Sequence, residues 1–250
     1  MSDNPASYYE KLGRDLAAYC KKFLIPPQYF FEIINDQKVN PMLRGKGMEY
    51  AAYLLLDQLL DSRAWKVTKL NLSAQPGILD QDISLTHSRT GIQLIVESKS
   101  AVRGSIRAGP RSKHKVPHFK VKCHRSRSSI GREGNDRYLD TAFDILLSNP
   151  LNALFQGGTV GEDLELIKDQ NVINLLYQHY GVSDEEALLN VAANDWRFVL
   201  PPNISENSFI PRTPTVFLSD DPHWLSLAQL QGKIEEVVRE RLARKRSGRS

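Results

Sequence analysis

The chain has 250 residues, 41% hydrophobic and 25% charged, ordinary globular values that exclude a fibrous, coiled-coil or wholly disordered protein. No apolar run approaches the roughly 18 residues a membrane span needs. The start Met1-Ser2-Asp3-Asn4-Pro5 has neither a basic nor an apolar leader, so the expectation is a cytoplasmic protein with no membrane partner. The formal net charge of +4 hides an uneven distribution. Residues 101–137 carry 11 Lys and Arg against Glu133 and Asp136, a net +9, and residues 239–250 carry six against Glu240, a net +5, which leaves −10 for the rest. An acidic body with one concentrated basic segment fits a protein that meets a polyanion at one place.

In chain order, Tyr8, Leu12, Leu16, Cys20 and Phe23 recur at three- and four-residue steps, predicting an amphipathic helix over 8–24 that Ile25-Pro26-Pro27 ends. A mostly buried helix is expected from about Met48 to Leu60, after Gly45-Lys46-Gly47. The period then changes. Trp65 to Leu70 alternates as a strand, and residues 82–85 and 92–96 read as the two arms of a β-hairpin around a turn at 86–91. Residues 103–134 lose periodicity and read as a long basic loop. Helical patterning returns at 138–147, 164–180 and 184–193, with Ser183 as N-cap, then strands at 196–200 and 215–218, and a last helix over 224–242. The fold class is therefore mixed α and β, a central sheet flanked by helices. The whole chain, 1–250, is read as one domain: a core at about 45–100, the basic segment 101–137, and a helical region 138–250 for recognition and subunit pairing.

The chemistry-bearing stretch is Asp80-Gln81-Asp82-Ile83-Ser84-Leu85 followed by Ile92 to Lys99. Side chains alternate along a strand, so Glu97 and Lys99 share a face, with Val96 and Ser98 on the other, and Asp80 and Asp82 likewise go together. A turn centred on Ser88-Arg89 would pair Leu85 with Ile92 and Asp82 with Ile95, setting Asp80 opposite Glu97 with Asp82 one diagonal step away. Three carboxylates and an amine would then converge at the end of an apolar hairpin. Hard oxygen ligands of this kind suit Mg²⁺, and a neighbouring ammonium can orient water or offset charge developing on phosphorus.

A helix Glu, a strand-start Asp and a Glu-x-Lys on the next strand resemble the PD-(D/E)XK nuclease superfamily, which includes many type II restriction endonucleases. The matching residues are Glu49, Asp82, Glu97 and Lys99, within about 45–100. The resemblance implies a restriction-endonuclease-like core and Mg²⁺ held by Asp82 and Glu97; the simple hairpin register, which sets Asp80 opposite Glu97, keeps Asp80 as the second-choice ligand. The resemblance implies that Lys99 positions water and that Glu49 assists. It further implies double-stranded DNA as substrate and a homodimer matched to a palindromic site. No proline directly precedes Asp82, a departure from the family pattern. Two other readings stay open: a non-catalytic nucleic-acid-binding protein, and a structure-specific repair or phage nuclease of the same fold.

Arg103, Arg107, Arg111, Lys113, Lys115, Lys120, Lys122, Arg125 and Arg127 are the expected DNA contacts. His114, His118, Cys123 and His124 have spacings open to zinc. Structural zinc sites usually draw on paired cysteines, so a polar phosphate-binding surface is the preferred reading.

Overall fold

The computed structural model describes residues 5–36, 38–70, 81–109, 112, 114–125, 136–156 and 165–247. Asp80, Arg111, Lys113 and Arg127 lie outside the described residues. The described residues divide at Arg44/Gly45 into two compact units.

The first unit holds helix α1 (Pro5–Lys22), the short α2 (Phe30–Ile34) and the start of α3 (Val39–Leu59). The α1 helix closes with Leu24 in a left-handed conformation (φ 55°), which lets the Ile25 amide bond back to the Cys20 carbonyl at 2.9 Å. This closure normally falls to glycine. Along the predicted apolar stripe, Cys20 is buried whereas Tyr8, Leu12 and Phe23 are exposed.

The third helix starts nine residues before the expected Met48 and runs through Gly45 and Gly47. Pro41 sits in its first turn, where no intrahelical donor is needed, and each glycine costs only about 1 kcal/mol against a long run of good helix formers. Nor is it mostly buried: it buries Ala52 and Leu56 but leaves Tyr50, Leu54 and Leu59 exposed.

The second unit is built on a six-stranded sheet. Its strands are β1 (Trp65–Lys69), β2 (Ile83–His87), β3 (Gln93–Ser98), β5 (Ile145–Ser148), β8 (Arg197–Val199) and β10 (Leu225–Ser226), in the order β1-β2-β3-β5-β8-β10. Only β3 and β5 run parallel. Outside this sheet, β4 (His118–Lys120) pairs with β9 (Thr215–Phe217), and β6 (Phe155–Gln156) with β7 (Glu165–Leu166). Alternate strand residues feed two apolar clusters. Ile83, Leu85, Leu94, Val96, Ile145, Leu147 and Phe198 pack with Ala52 and Leu56 of α3 and with Leu230, Ile234 and Val238 of α6 (Leu230–Arg246). Leu146 and Val199 join Phe119, Val121 and Val216 with the buried faces of α4 (Gln170–Tyr180) and α5 (Glu185–Asn194). The mixed α and β architecture expected from the sequence is the one observed. Among the described residues no helix is long and apolar enough to cross a membrane.

Several expectations for 138–250 are corrected. The helix expected over 138–147 is instead a turn followed by β5. All four β5 residues are buried, as a parallel strand covered on both faces requires, and such a strand reads as a continuous apolar run. Leu139, Phe143, Leu146 and Leu147 imitate helical spacing, but Leu139 is exposed and Phe143 is buried from the preceding turn. In the 164–180 segment, β7 comes first and α4 begins at Gln170, capped by the Asp169 carboxylate on the amides of Asn171 and Val172. Asp184, not Ser183, caps α5 through the Ala187 amide. The start of the last predicted helix is β10, and α6 extends to Arg246, so part of the basic tail is helical. Residues 138–250 thus supply half of the main sheet: β5 and β10 where helix was expected, and β8 where a strand was.

Candidate active site

The hairpin register decides which acidic residue faces Glu97. Leu85 pairs with Leu94 and Ile83 with Val96; carried one step further, the same register sets Asp82 across from Glu97. The expected pairing of Leu85 with Ile92 was two residues out. The physical cause lies in the turn: Gly91 adopts φ +66°, its amide bonds to the His87 carbonyl at 2.9 Å, and the His87 amide bonds to the Ile92 carbonyl at 2.8 Å. Thr86 and His87 therefore belong to the strand, held there by the His87 ring against Trp65.

Asp82 (3% exposed) and Glu97 (1%) are among the few buried charged side chains in the molecule's described residues. One Asp82 carboxylate oxygen, Oδ2, accepts from the Ser98 amide at 2.8 Å and the Ser98 hydroxyl at 2.9 Å. Ser98 was expected on the opposite face. Asp82 precedes the first ladder pair, so its carboxylate can take both Ser98 donors. Burial pushes the Asp82 carboxyl above its ordinary range and Glu49 adds to this; Lys99 and the Ser98 bonds oppose it without cancelling it. Asp82 is thus a carboxylate whose charge is under-compensated.

Glu97 is better matched. The Lys99 ammonium lies 2.5 Å from its Oε1, and the Tyr138 hydroxyl donates to the same oxygen at 3.4 Å. Lys99 also sits 5.2 Å from the centre of the Tyr138 ring. Burial disfavours the Lys99 ammonium, but Glu97, Tyr138 and Asp82 together outweigh burial and hold it well above the usual lysine value. Lys99 is therefore a fixed cation at neutral pH, suited to orienting water and offsetting negative charge. It is not a proton acceptor.

Glu49 reaches this group through a residue not anticipated from sequence. Its Oε2 bonds to Lys46 Nζ at 2.8 Å and Lys69 Nζ at 3.0 Å. Lys69 also donates to the carbonyls of Leu70 (2.9 Å) and Asp82 (3.1 Å), tying the α3 carboxylate to the backbone at the foot of β2. Lys69, Ser98 and Tyr138 were missed because each enters through pairing or the β3–β5 crossover, not through local spacing. For Lys69 the one available signal was a lysine on the strand beside the aspartate.

No family model, curated protein or solved structure matches this chain.

Among the described residues no three His, Cys, Asp or Glu side chains group as a metal site. Mg²⁺ needs less: it is commonly held by one or two carboxylates while substrate phosphate and waters fill its other positions. Asp82 and Glu97 supply two hard oxygen donors from facing positions of the β2–β3 pair. The donor set fits that ion.

The segment beyond Lys99 folds against β4: Ala101 bridges Val121, and the Lys122 amide bonds to the Ser100 carbonyl at 3.0 Å. Of the predicted DNA contacts, Arg103, Arg107 and Lys120 converge on one cavity, Lys115 and Lys122 are exposed singly, and Arg125 is partly buried, its amide bonded to the Asp136 carbonyl. Cys123 lies in the apolar cluster, where burial pushes its thiol up to about 12. The His114 and His118 rings pack against Phe217.

Proposed function

We propose that the chain is a Mg²⁺-dependent endodeoxyribonuclease of the PD-(D/E)XK type that hydrolyses phosphodiester bonds of double-stranded DNA at a specific sequence, as a type II restriction enzyme does. The observation that carries this reading is the meeting of buried Asp82 and Glu97 across one strand pair with the Lys99 ammonium 2.5 Å from Glu97. Asp82 and Glu97 would hold Mg²⁺, which supplies Lewis-acid stabilisation of the phosphoryl oxygens. The chain's own residues do the rest. Ser98 fixes the Asp82 carboxylate, Tyr138 and Glu97 aim the Lys99 ammonium, and that ammonium orients water against phosphorus and offsets the charge that develops there. Lys69 keeps Glu49 beside Asp82. A homodimer would match the two-fold symmetry of a palindromic site.

A second reading, a non-catalytic nucleic-acid-binding protein, draws on the lysine partners that Glu97 and Glu49 already have. Incubation with long defined DNA and Mg²⁺ separates the two. Discrete fragments from the wild type, absent from Lys99→Ala while DNA binding persists, support the restriction nuclease. A smear indicates a nuclease without sequence choice, and intact DNA that is nevertheless bound favours the binder.

A further inference from the structure

A cavity of about 600 Å³ opens within the second unit and is lined by Arg103, Arg107, Lys120, His114 and His118 together with small polar residues. Among the described residues no Asp or Glu lines it, whereas cavities elsewhere in this unit contain Asp195, or Asp61 and Glu235. Among the described residues none of its three cations forms an ion pair with a carboxylate. The walls are built. The Arg107 guanidinium donates to the carbonyls of Gly104 (2.6 Å) and Ile106 (2.7 Å), which fixes its direction. The Val102 amide bonds to the Lys120 carbonyl at 2.7 Å, and Gly104 turns the chain at φ +59°.

We propose that this cavity seats one nucleotide of a DNA strand, with its phosphate held by Arg103, Arg107 and Lys120 and its sugar or base against the imidazoles of His114 and His118. The proposal rests on the nuclease reading for the identity of the strand; the cavity's charge stands apart from it. Three cations with no carboxylate partner among the described residues select an anion, and the volume exceeds what free phosphate needs, falling within the range of small-molecule sites. The His118 Nδ1–H donates to the Val116 carbonyl at 2.9 Å, and its buried ring packs against His114 (5.1 Å between ring centres) and Phe217, so the imidazoles form a fixed aromatic wall of which His114 is the less buried member. Val102, which lines the cavity, is three residues from Lys99, at most about 10 Å of extended chain, so the cavity opens close to the candidate active site.

Calorimetric titration without Mg²⁺ tests this, using inorganic phosphate, thymidine dinucleotide and its 5′-phosphorylated form. The wild type should bind a dinucleotide, and Arg103→Gln/Lys120→Gln, both at exposed positions, at least tenfold more weakly. The charge-keeping Arg103→Lys/Lys120→Arg should retain binding, which excludes misfolding as the cause of loss. Preference for the phosphorylated form identifies a strand end, and equal binding of both forms an internal phosphodiester. Undiminished binding by the Gln variant, no binding, or binding of inorganic phosphate alone overturns the proposal. Cleavage measured in parallel keeps the two readings apart. Dinucleotide binding without cleavage overturns only the nuclease; cleavage with no effect of the Gln pair on binding overturns only the pocket.

Discussion

Replacing Asp82 by Asn isolates the charge of the site with almost no change of shape. In the wild type, a buried carboxylate costs several kcal/mol of desolvation, which the nearby Lys99 charge and two Ser98 hydrogen bonds, each worth about 1.5–3 kcal/mol to a charged acceptor, only partly offset. The raised proton affinity of Asp82 shows which side wins. The Asn oxygen can take both Ser98 donors at the neutral value of about 1 kcal/mol each, and the ionic cost disappears, so the variant should be more stable by about 1 kcal/mol, or ~2–4 °C in Tm for a unit of this size. The pH dependence follows from linkage. Above the ordinary value of 3.8 the folded protein holds more protons at this site than the unfolded chain, so wild-type stability relative to Asn declines as pH rises through the folded value. The two melting temperatures should converge in acid and separate toward neutrality. Mg²⁺ at ten times its Kd should raise wild-type stability by about 1.4 kcal/mol and leave the variant unmoved. Scanning calorimetry across pH, with and without Mg²⁺, reads all of this. An Asn variant that melts below the wild type from pH 5 to 8, or a Mg²⁺ shift equal in both proteins, refutes the reasoning.

Lys99→Met strands the Glu97 carboxylate in the core and should cost about 3 kcal/mol, while Lys99→Met/Glu97→Gln should recover most of that loss; denaturant titration of both variants checks the coupling. Leu24→Gly removes a left-handed non-glycine residue at an exposed position and should stabilise its helix end by about 1 kcal/mol, readable by hydrogen exchange in α1. Cys123 should resist alkylation at pH 8 in the native protein and react fully in denaturant, because burial both covers the thiol and suppresses its thiolate. DNA affinity should fall with salt, and each removed phosphate contact should lower the slope of log K against log salt by about 0.9.

The hairpin shows why the site was legible before its partners were. The expected register was wrong by two residues, but the side-chain period of a strand is also two, so the slip exchanged Asp80 for Asp82 without moving the acidic set to the other face. An error of one residue would have dispersed the cluster. The expected helix over 138–147 fails for the complementary reason: the buried run Ile145-Leu146-Leu147 has no polar alternation to betray a strand, and its pairing partner β3 lies far back in the chain. Tyr138 could not be joined to Glu97, nor Lys69 to Glu49, without knowing those pairings, since nothing local relates them.

The parallel step from β3 to β5 has a bearing on how such a protein can diversify. Both ends of the 99–144 crossover are anchored in the middle of the sheet, Lys99 by its amide to the Leu147 carbonyl and Asp144 by its contacts with the Ile95 amide and with Arg241 of α6. The segment between those anchors is itself held, by β4 against β9 and by Ile106, Phe119, Val121 and Cys123 in the core. Its exposed basic residues Arg103, Lys115, Lys120 and Lys122 therefore sit on a fixed frame and can change without moving the carboxylates and the ammonium, which the main sheet holds in place.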